Sequence, residues 1–395
     1  MKKLTEVAAF AGLAAVFLTA AFGAGYYTRA LTAENKDVAV PGLAPTDPYP
    51  ILTEARRVLE DYYHQPLPDD KTLEYGAVRG LVNTVGDPYT VFVEPQPHEL
   101  ETQSLQGEYG GVGVGLSQNA AGEIALSPYP DSPAAQAGIV EGDILLAVDD
   151  SVLAGTATGE EAAALIRGPI GTPVILRVRH PSGEEFTARL LRQSFPIPSV
   201  TWKIVDGQPA MGLIAVSRFS DKTPQEVLRA AGDLQAQGAD RFILDLRNNG
   251  GGILESAVAV ASDFLDGGVV MYETQRNVPE KVYTAPNVSG SLTTAPLVVL
   301  VNHNTASAAE IVAGALLDRG RAPLMGQTTY GKGSVQLVFE LPDKSSLHVT
   351  AYLWYTPAHR ELDKNGLPPT IVVEPAADGS DAELARAIQY LLNGQ

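Results

Sequence analysis

The 395-residue sequence predicts a multi-domain α+β protein. An amino-terminal membrane-anchor helix leads into a stalk, a small helical domain, a glycine-rich β module and a carboxyl-terminal α/β core. Three observations predict this. One long apolar run sits at the amino end. Around Gly107–Phe195 (107–195) alternation and turn signals replace helical spacing. From 196 to 395, apolar strand patterns alternate with helical ones. At about 150 residues per domain, the length accommodates two or three such units.

Composition narrows the function. Lys plus Arg is 28 and Asp plus Glu is 46, a net charge of −18. Such a chain repels phosphate backbones, so no nucleic-acid partner is expected. Hydrophobic residues make up 45%, enough for buried cores and too many for a disordered chain. Cysteine is absent, which removes disulfides, thiol nucleophiles and thiolate metal sites. Six histidines form no HExxH pattern, so a metalloprotease of that type is excluded. No cofactor and no metal are expected.

Lys2 and Lys3 precede an apolar run from Val7 to Tyr27, broken only by Thr19. About 20 apolar residues span a bilayer as a helix, and the lysines favour a cytoplasmic amino end. Residues 1–31 therefore read as an anchor, with the rest outside the cytoplasm. A cleaved signal peptide is the rival, with Ala21 and Gly23 as small cleavage-site residues; cleavage would make the protein secreted. From 32 to 50, four prolines among polar residues give an extended stalk. Over 51–106, two amphipathic helices are expected, one with Leu52, Ala55, Leu59 and Tyr62 on a face, the next with Leu73, Ala77, Leu81 and Val85.

In Gly110-Gly111-Val112-Gly113-Val114-Gly115, glycines free the backbone to turn successive N–H groups one way, a cup suited to a carboxylate. The alternative is a plain glycine-rich turn opening a strand. Ser132-Pro133-Ala134-Ala135 reads as a short helix closed by Gly138, and Thr158 with Glu161 forms a capping box. Thr172–Arg179 alternates as a strand. With these motifs the segment resembles a PDZ domain. The resemblance implies that a peptide's free carboxyl end docks near Gly111, Val112, Gly113 and Val114, beside an apolar groove between that strand and the Thr158–Arg167 helix.

In the core, Arg241–Arg247 is a strand pattern ending in Asn248-Asn249-Gly250-Gly251-Gly252. Pro296–Asn302 is a second buried strand. It leads through His303-Asn304-Thr305-Ala306 to Ser307-Ala308-Ala309-Glu310 and a helical run. Ser307 reads either as the cap of that helix or as a nucleophile whose oxyanion would meet the helix N-terminal N–H groups. The N–H of Ala308 is one such donor, and the glycine run offers a second. A serine needs a base. His303 lies on the same connection, an awkward approach. Lys332, in Tyr330-Gly331-Lys332-Gly333, serves only if burial lowers its pKa. Gly326–Lys332 matches a phosphate-loop spacing, but Gly333 replaces the required Ser/Thr and a strand pattern follows where a helix is needed. On that strand, period two puts Gln336 on the face of Lys332, and Val338 on the same face suggests cover for the amine.

Together LDLRNNGGG, NTASAAEIVAGAL and TTYGKGSVQ resemble the carboxyl-terminal processing, or tail-specific, serine proteases. The resemblance covers nearly everything after the stalk. It implies a ClpP/crotonase-like α/β protease core, with Ser307 as nucleophile, Lys332 as base, Gln336 beside it, and the N–H groups of Ala308 and Gly251 as oxyanion donors. It also implies protein or peptide partners with free carboxyl ends. The sequence departs where the family often has proline, at Gly250, which puts the choice of oxyanion glycine in doubt, and at Trp354, near a position often basic. Two readings compete with a membrane-anchored extracytoplasmic endopeptidase: a non-catalytic PDZ peptide-binding scaffold, and an enoyl-CoA hydratase-type core.

Overall fold

The computed structural model describes residues 49–393 except 120, 154–156, 288–289 and 377. The expected anchor (1–31) and nearly all of the stalk lie outside the described residues. Among the described residues no helix is long and apolar enough to cross a membrane.

The chain divides into two compact units at Leu73 and Glu74. The first holds helix Pro50–Tyr62, which buries none of its residues; Ile51 and Tyr62 are 84% and 81% exposed. Helix Asp70–Asn83 begins there and runs into the second unit. Its buried residues are Tyr75 and Val82, three and four positions from Val78, whereas Leu81 and Val85 are exposed. The face expected from Leu73, Ala77, Leu81 and Val85 is therefore rotated. Tyr75 carries a hydrogen bond to Asp343, a partner 268 residues away that local spacing does not reveal.

Within the second unit, the glycine-rich module is a six-stranded antiparallel sheet. Its main path runs Val114–Gln118, Ile124–Pro128, Asp143–Val148, Pro173–Arg179, Glu185–Leu191. Strand Pro173–Arg179 buries Val174, Leu176 and Val178 and exposes the residues between, the period-two signature of a half-buried strand. These valines and leucine join Leu126, Ile139, Ala162 and Ile166 in the module's own core. Helix Gly159–Ile166 starts at the expected capping box: Glu161 N–H donates to Thr158 Oγ1 (3.2 Å), and Thr158 N–H donates to Glu161 Oε2 (2.8 Å). A ribbon of Glu108–Gly111 and Gln193–Pro196 brackets the module.

The core is built on a second six-stranded sheet in the order Val200–Val205, Gln208–Val216, Arg241–Asp245, Leu297–Val301, Leu324–Gly326, Ile371–Val372. All neighbours after the first pair are parallel. Leu297–Val301 is buried at every residue, as a central parallel strand covered on both faces must be. Its alternation still sorts the faces. Val299 and Val301 pack with helices Thr223–Ala236, Leu254–Asp263 and Ala308–Asp318. Val298 and Leu300 meet helix Ala382–Asn393 through Ala387 and Leu391. A further sheet of Val91–Val93, Ser346–Tyr355, Gly268–Gln275 and Val278–Ala285, with Ser334–Glu340 paired to Ser346–Tyr355, lies on the side of the first helix layer, where Val270, Met271 and Trp354 enter the core.

Strand Ser334–Glu340 confirms that no phosphate-loop helix follows Lys332. The cover expected from Val338 is absent, since it is 49% exposed. A register shift between Val335 and Gln336 breaks the simple alternation on which that expectation rested.

Candidate active site

Two loops from the carboxyl ends of adjacent parallel strands meet here, the usual place for a site in such a sheet. They are stitched by asparagines. Asn248 N–H donates to Asn302 Oδ1, and the Asn302 and Asn304 amides donate to Asn248 Oδ1, each at 3.0 Å. Asn249 is fully buried; its amide donates to Val216 O (2.8 Å), and its carbonyl accepts from Ala306 N–H (2.9 Å). Thr305 Oγ1 donates to Leu246 O at 2.8 Å.

The loop from Leu297–Val301 delivers Ser307 in a strained backbone, φ 54° and ψ −119°. A non-glycine residue held there costs about 1–3 kcal/mol and persists only when its surroundings fix it. A sharp strand-to-helix turn of this kind pushes its side chain out at the end of the sheet. Ser307 holds the N-cap position that the capping-box reading expected, and the half of the box made by Glu310 is firm: Ser307 N–H donates to Glu310 Oε2 at 2.8 Å, while the Ser307 hydroxyl makes no cap hydrogen bond. The N–H groups of Ala309, Glu310 and Ile311 find carbonyls at Ala306 and Ser307. That of Ala308 finds none, leaving it as an unpaired donor at the helix start beside Ser307.

Glu310 does more than the sequence reveals. It is fully buried, and its carboxylate accepts four bonds. Ser307 N–H and Lys332 N–H donate to Oε2 (2.8 and 2.9 Å), while Gly331 N–H and the Thr329 hydroxyl donate to Oε1 (2.7 and 2.5 Å). One carboxylate thus ties the backbone of the serine turn to that of the lysine turn. Tyr330 N–H donates to Thr305 O (2.9 Å), adding a second tie.

The Lys332 turn needs its glycines. Gly331 has φ 87°, and a Cβ there would lie 2.6 Å from Gly366 N. Trp354, 2% exposed, holds the turn through Nε1 to Lys332 O (2.9 Å). The amine stands 4.9 Å from the centre of the Tyr89 ring. Burial pushes its pKa below the ordinary lysine value; Glu101, Asp87 and Glu310 pull the other way. Ser307 and Lys332 line one cleft of about 580 Å³ with Ala308, Gly250, Gly252, Gln336 and Trp354. No hydrogen bond joins the Ser307 hydroxyl to the Lys332 amine. In ligand-free enzymes such contacts are often long and tighten on substrate binding.

Two expectations are corrected. Gly251 N–H is already donated to Asn249 Oδ1 at 2.9 Å, so it does not point at an oxyanion. Its role is space: φ is 104°, and a Cβ would lie 2.9 Å from Ser307 Cβ. Gly250 and Gly252 line the cleft instead. Gln336 shares the cleft with Lys332, but its amide donates to Ser334 Oγ (2.9 Å) and Thr350 Oγ1 (3.3 Å), and it makes no hydrogen bond to the amine. His303 is exposed, contacts Gln327 Oε1 at 3.3 Å and does not line the cleft.

In the antiparallel module, Gly111, Val112, Gly113 and Val114 line a groove of about 270 Å³ with Ala163 and Ile166 of the capped helix. The carbonyls of Val112 and Gly113 accept from Ala134 and Tyr129, while their N–H groups enter no hydrogen bond. Gly113, φ 70°, has no room for a side chain: a Cβ would lie 2.4 Å from Ser132 Cβ. Arg167 lines the same groove, its guanidinium 5.1 Å over the Tyr109 ring. The sequence reading makes Arg167 the last residue of the Thr158–Arg167 helix and gives it no role in the groove; the helix ends at Ile166, with Arg167 as its C-cap.

Peptidase family S41 matches residues 210–373, and a PDZ domain matches residues 124–180. The carboxyl-terminal-processing protease of a Picosynechococcus species is 39% identical over 321 residues, covering 78% of this chain and 76% of that protein. The chain belongs to the carboxyl-terminal-processing proteases of peptidase family S41. Carboxy-terminal processing protease CtpA of Bacillus subtilis is 32% identical over 324 residues, covering 82% of this chain and 68% of that protein. A solved photosystem II D1 C-terminal processing protease is 28% identical, covers 84% of this chain and 92% of its own, and superposes with a TM-score of 0.48. This S41 protease is therefore a serine-type peptidase with a PDZ module.

Proposed function

We propose that this S41 protease cleaves protein substrates after capturing their free carboxyl ends, with Ser307 as nucleophile and Lys332 as general base. The observation that carries the proposal is the shared cleft: a strained serine at a helix start and a lysine whose pKa burial lowers, held in one frame by Glu310. The neutral Lys332 amine takes the Ser307 proton as Oγ bonds to the scissile carbonyl carbon. The resulting oxyanion receives the Ala308 N–H and one from cleft-lining Gly250 or Gly252. The lysinium returns its proton to the leaving amine as the C–N bond breaks. Water, deprotonated by the same lysine, then frees the acyl group.

Tail capture falls to the groove at Gly111–Val114. The free N–H groups of Val112 and Gly113 and the cation of Arg167 suit a carboxylate, and the apolar wall suits the last side chains. Residues 1–31 would anchor the protease in a membrane with the protease core outside the cytoplasm, or release it if cleaved. Turnover of peptides that differ only in a free or amidated carboxyl end tests the reading in the full-length chain. The free form should be cut faster, chiefly through a lower KM. Equal rates for both would remove tail capture, and no cleavage of either would favour a peptide-binding scaffold.

A further inference from the structure

We propose that His98, Glu101 and His348 form a binding site for one divalent transition-metal ion of the zinc type, on the wall of the Ser307–Lys332 cleft. His98 and Glu101 are three residues apart on helix Pro95–Leu105, so they share a face. His348 comes from strand Ser346–Tyr355, where it pairs with Val91, just ahead of that helix. The short Val91–Val93 strand therefore fixes the helix against the strand that carries the second histidine. One ligand atom from each of the three residues lies within 4.8 Å of the others.

The side chains are prepared for a ligand they do not have within the protein. His98 Nδ1 and His348 Nε2 are both buried without a hydrogen-bond partner. Buried polar atoms are rarely left so, and a satisfied core histidine would not leave them. Glu101 Oε2 stands 3.6 Å from His348 Nε2, too long for a hydrogen bond. Two imidazoles and one carboxylate are the donor set of zinc and its neighbours, whereas Mg²⁺ and Ca²⁺ prefer oxygen alone. Bonds of about 2.0–2.1 Å in a tetrahedron put the donors roughly 3.4 Å apart, so a modest closure of the triangle is needed. Glu101, with a 47% exposed side chain, is free to make it. A tetrahedral ion would keep a fourth position, and Glu101 and His348 both line the cleft into which it would open.

Calorimetric titration of the full-length chain with zinc chloride tests the site without any substrate, so the outcome does not depend on the dyad. One zinc ion per chain should bind in the micromolar range or tighter, and magnesium chloride should give no heat over the same range. Glu101→Gln, a conservative change at an exposed position, and His348→Ala should each weaken binding at least about tenfold. Absence of zinc binding up to about 100 μM in the wild-type chain overturns the proposal, as does unchanged affinity in both variants.

Discussion

Replacing Glu310 with Gln should cripple catalysis while leaving tail binding intact. The wild-type carboxylate accepts two bonds at each oxygen, and neither oxygen is reached by solvent. An amide keeps one oxygen and turns the other into a donor. Placed at Oε2, the new NH₂ faces the N–H groups of Ser307 and Lys332 and two charge-assisted bonds are lost. Placed at Oε1, it faces Gly331 N–H, although the Thr329 hydroxyl could turn to accept. One or two buried N–H groups thus lose a charged acceptor at about 1.5–3 kcal/mol each, so the cost is about 1.5–6 kcal/mol. Part of that energy now holds Ser307 at φ 54°. If the loss is felt at the transition state, kcat falls by about 10- to 10⁴-fold, since each 1.36 kcal/mol is tenfold. Steady-state cleavage of a tailed peptide should show the fall in kcat with KM little changed, because the Gly111–Val114 groove is elsewhere in the fold. A kcat within threefold of wild type in a folded Glu310→Gln protein would refute the idea that this carboxylate holds the two turns in register.

Other consequences follow from the same packing. Gly251→Ala forces a Cβ to 2.9 Å from Ser307 Cβ at φ 104°, so acylation should slow by about 100-fold; Gly80→Ala, on an exposed helix position where a Cβ meets open space, should stay near wild type, and comparable losses in both would show that the close approach is irrelevant. Asp263 is held near pKa 7 by burial, against about 3.9 in an unfolded chain, and its Oδ2 has no hydrogen-bond partner. Its folded-state pKa is raised, so the wild type has full stability below about pH 4, loses it as pH rises towards 7, and is then penalised by at most about 4 kcal/mol. Asp263→Asn should therefore raise the melting temperature at pH 8 and leave it nearly unchanged at pH 4, and a pH-independent effect would show that the carboxyl does not ionise in place.

Much of the fold was legible because local signals agreed with the global outcome. Leu297–Val301 is one unbroken apolar run, and such runs in an alternating pattern have little choice but a covered parallel strand. Thr158 and Glu161 announce a helix start by themselves. Ser307-Ala308-Ala309-Glu310 was legible as a helix start too, but the capping pattern hid the division of labour, because backbone dihedrals are not written in side-chain spacing. Long-range partners decided the rest. Asn249 captures the N–H of Gly251, Asp343 fixes which face of the Asp70–Asn83 helix is buried, and a bulge beside Gln336 alters what its strand presents. His98 and His348 are 250 residues apart, beyond any periodicity.

The rate of Ser307 acylation by a fluorophosphonate, followed against pH, addresses the proton transfer itself. Protonated Lys332 cannot act as base, so the rate should climb as pH rises through a pKa below the ordinary lysine value, then level off. That limb should vanish in Lys332→Ala together with nearly all acylation, and should be untouched in His303→Gln. Wild-type acylation in Lys332→Ala, or a limb that moves with His303, would contradict the account.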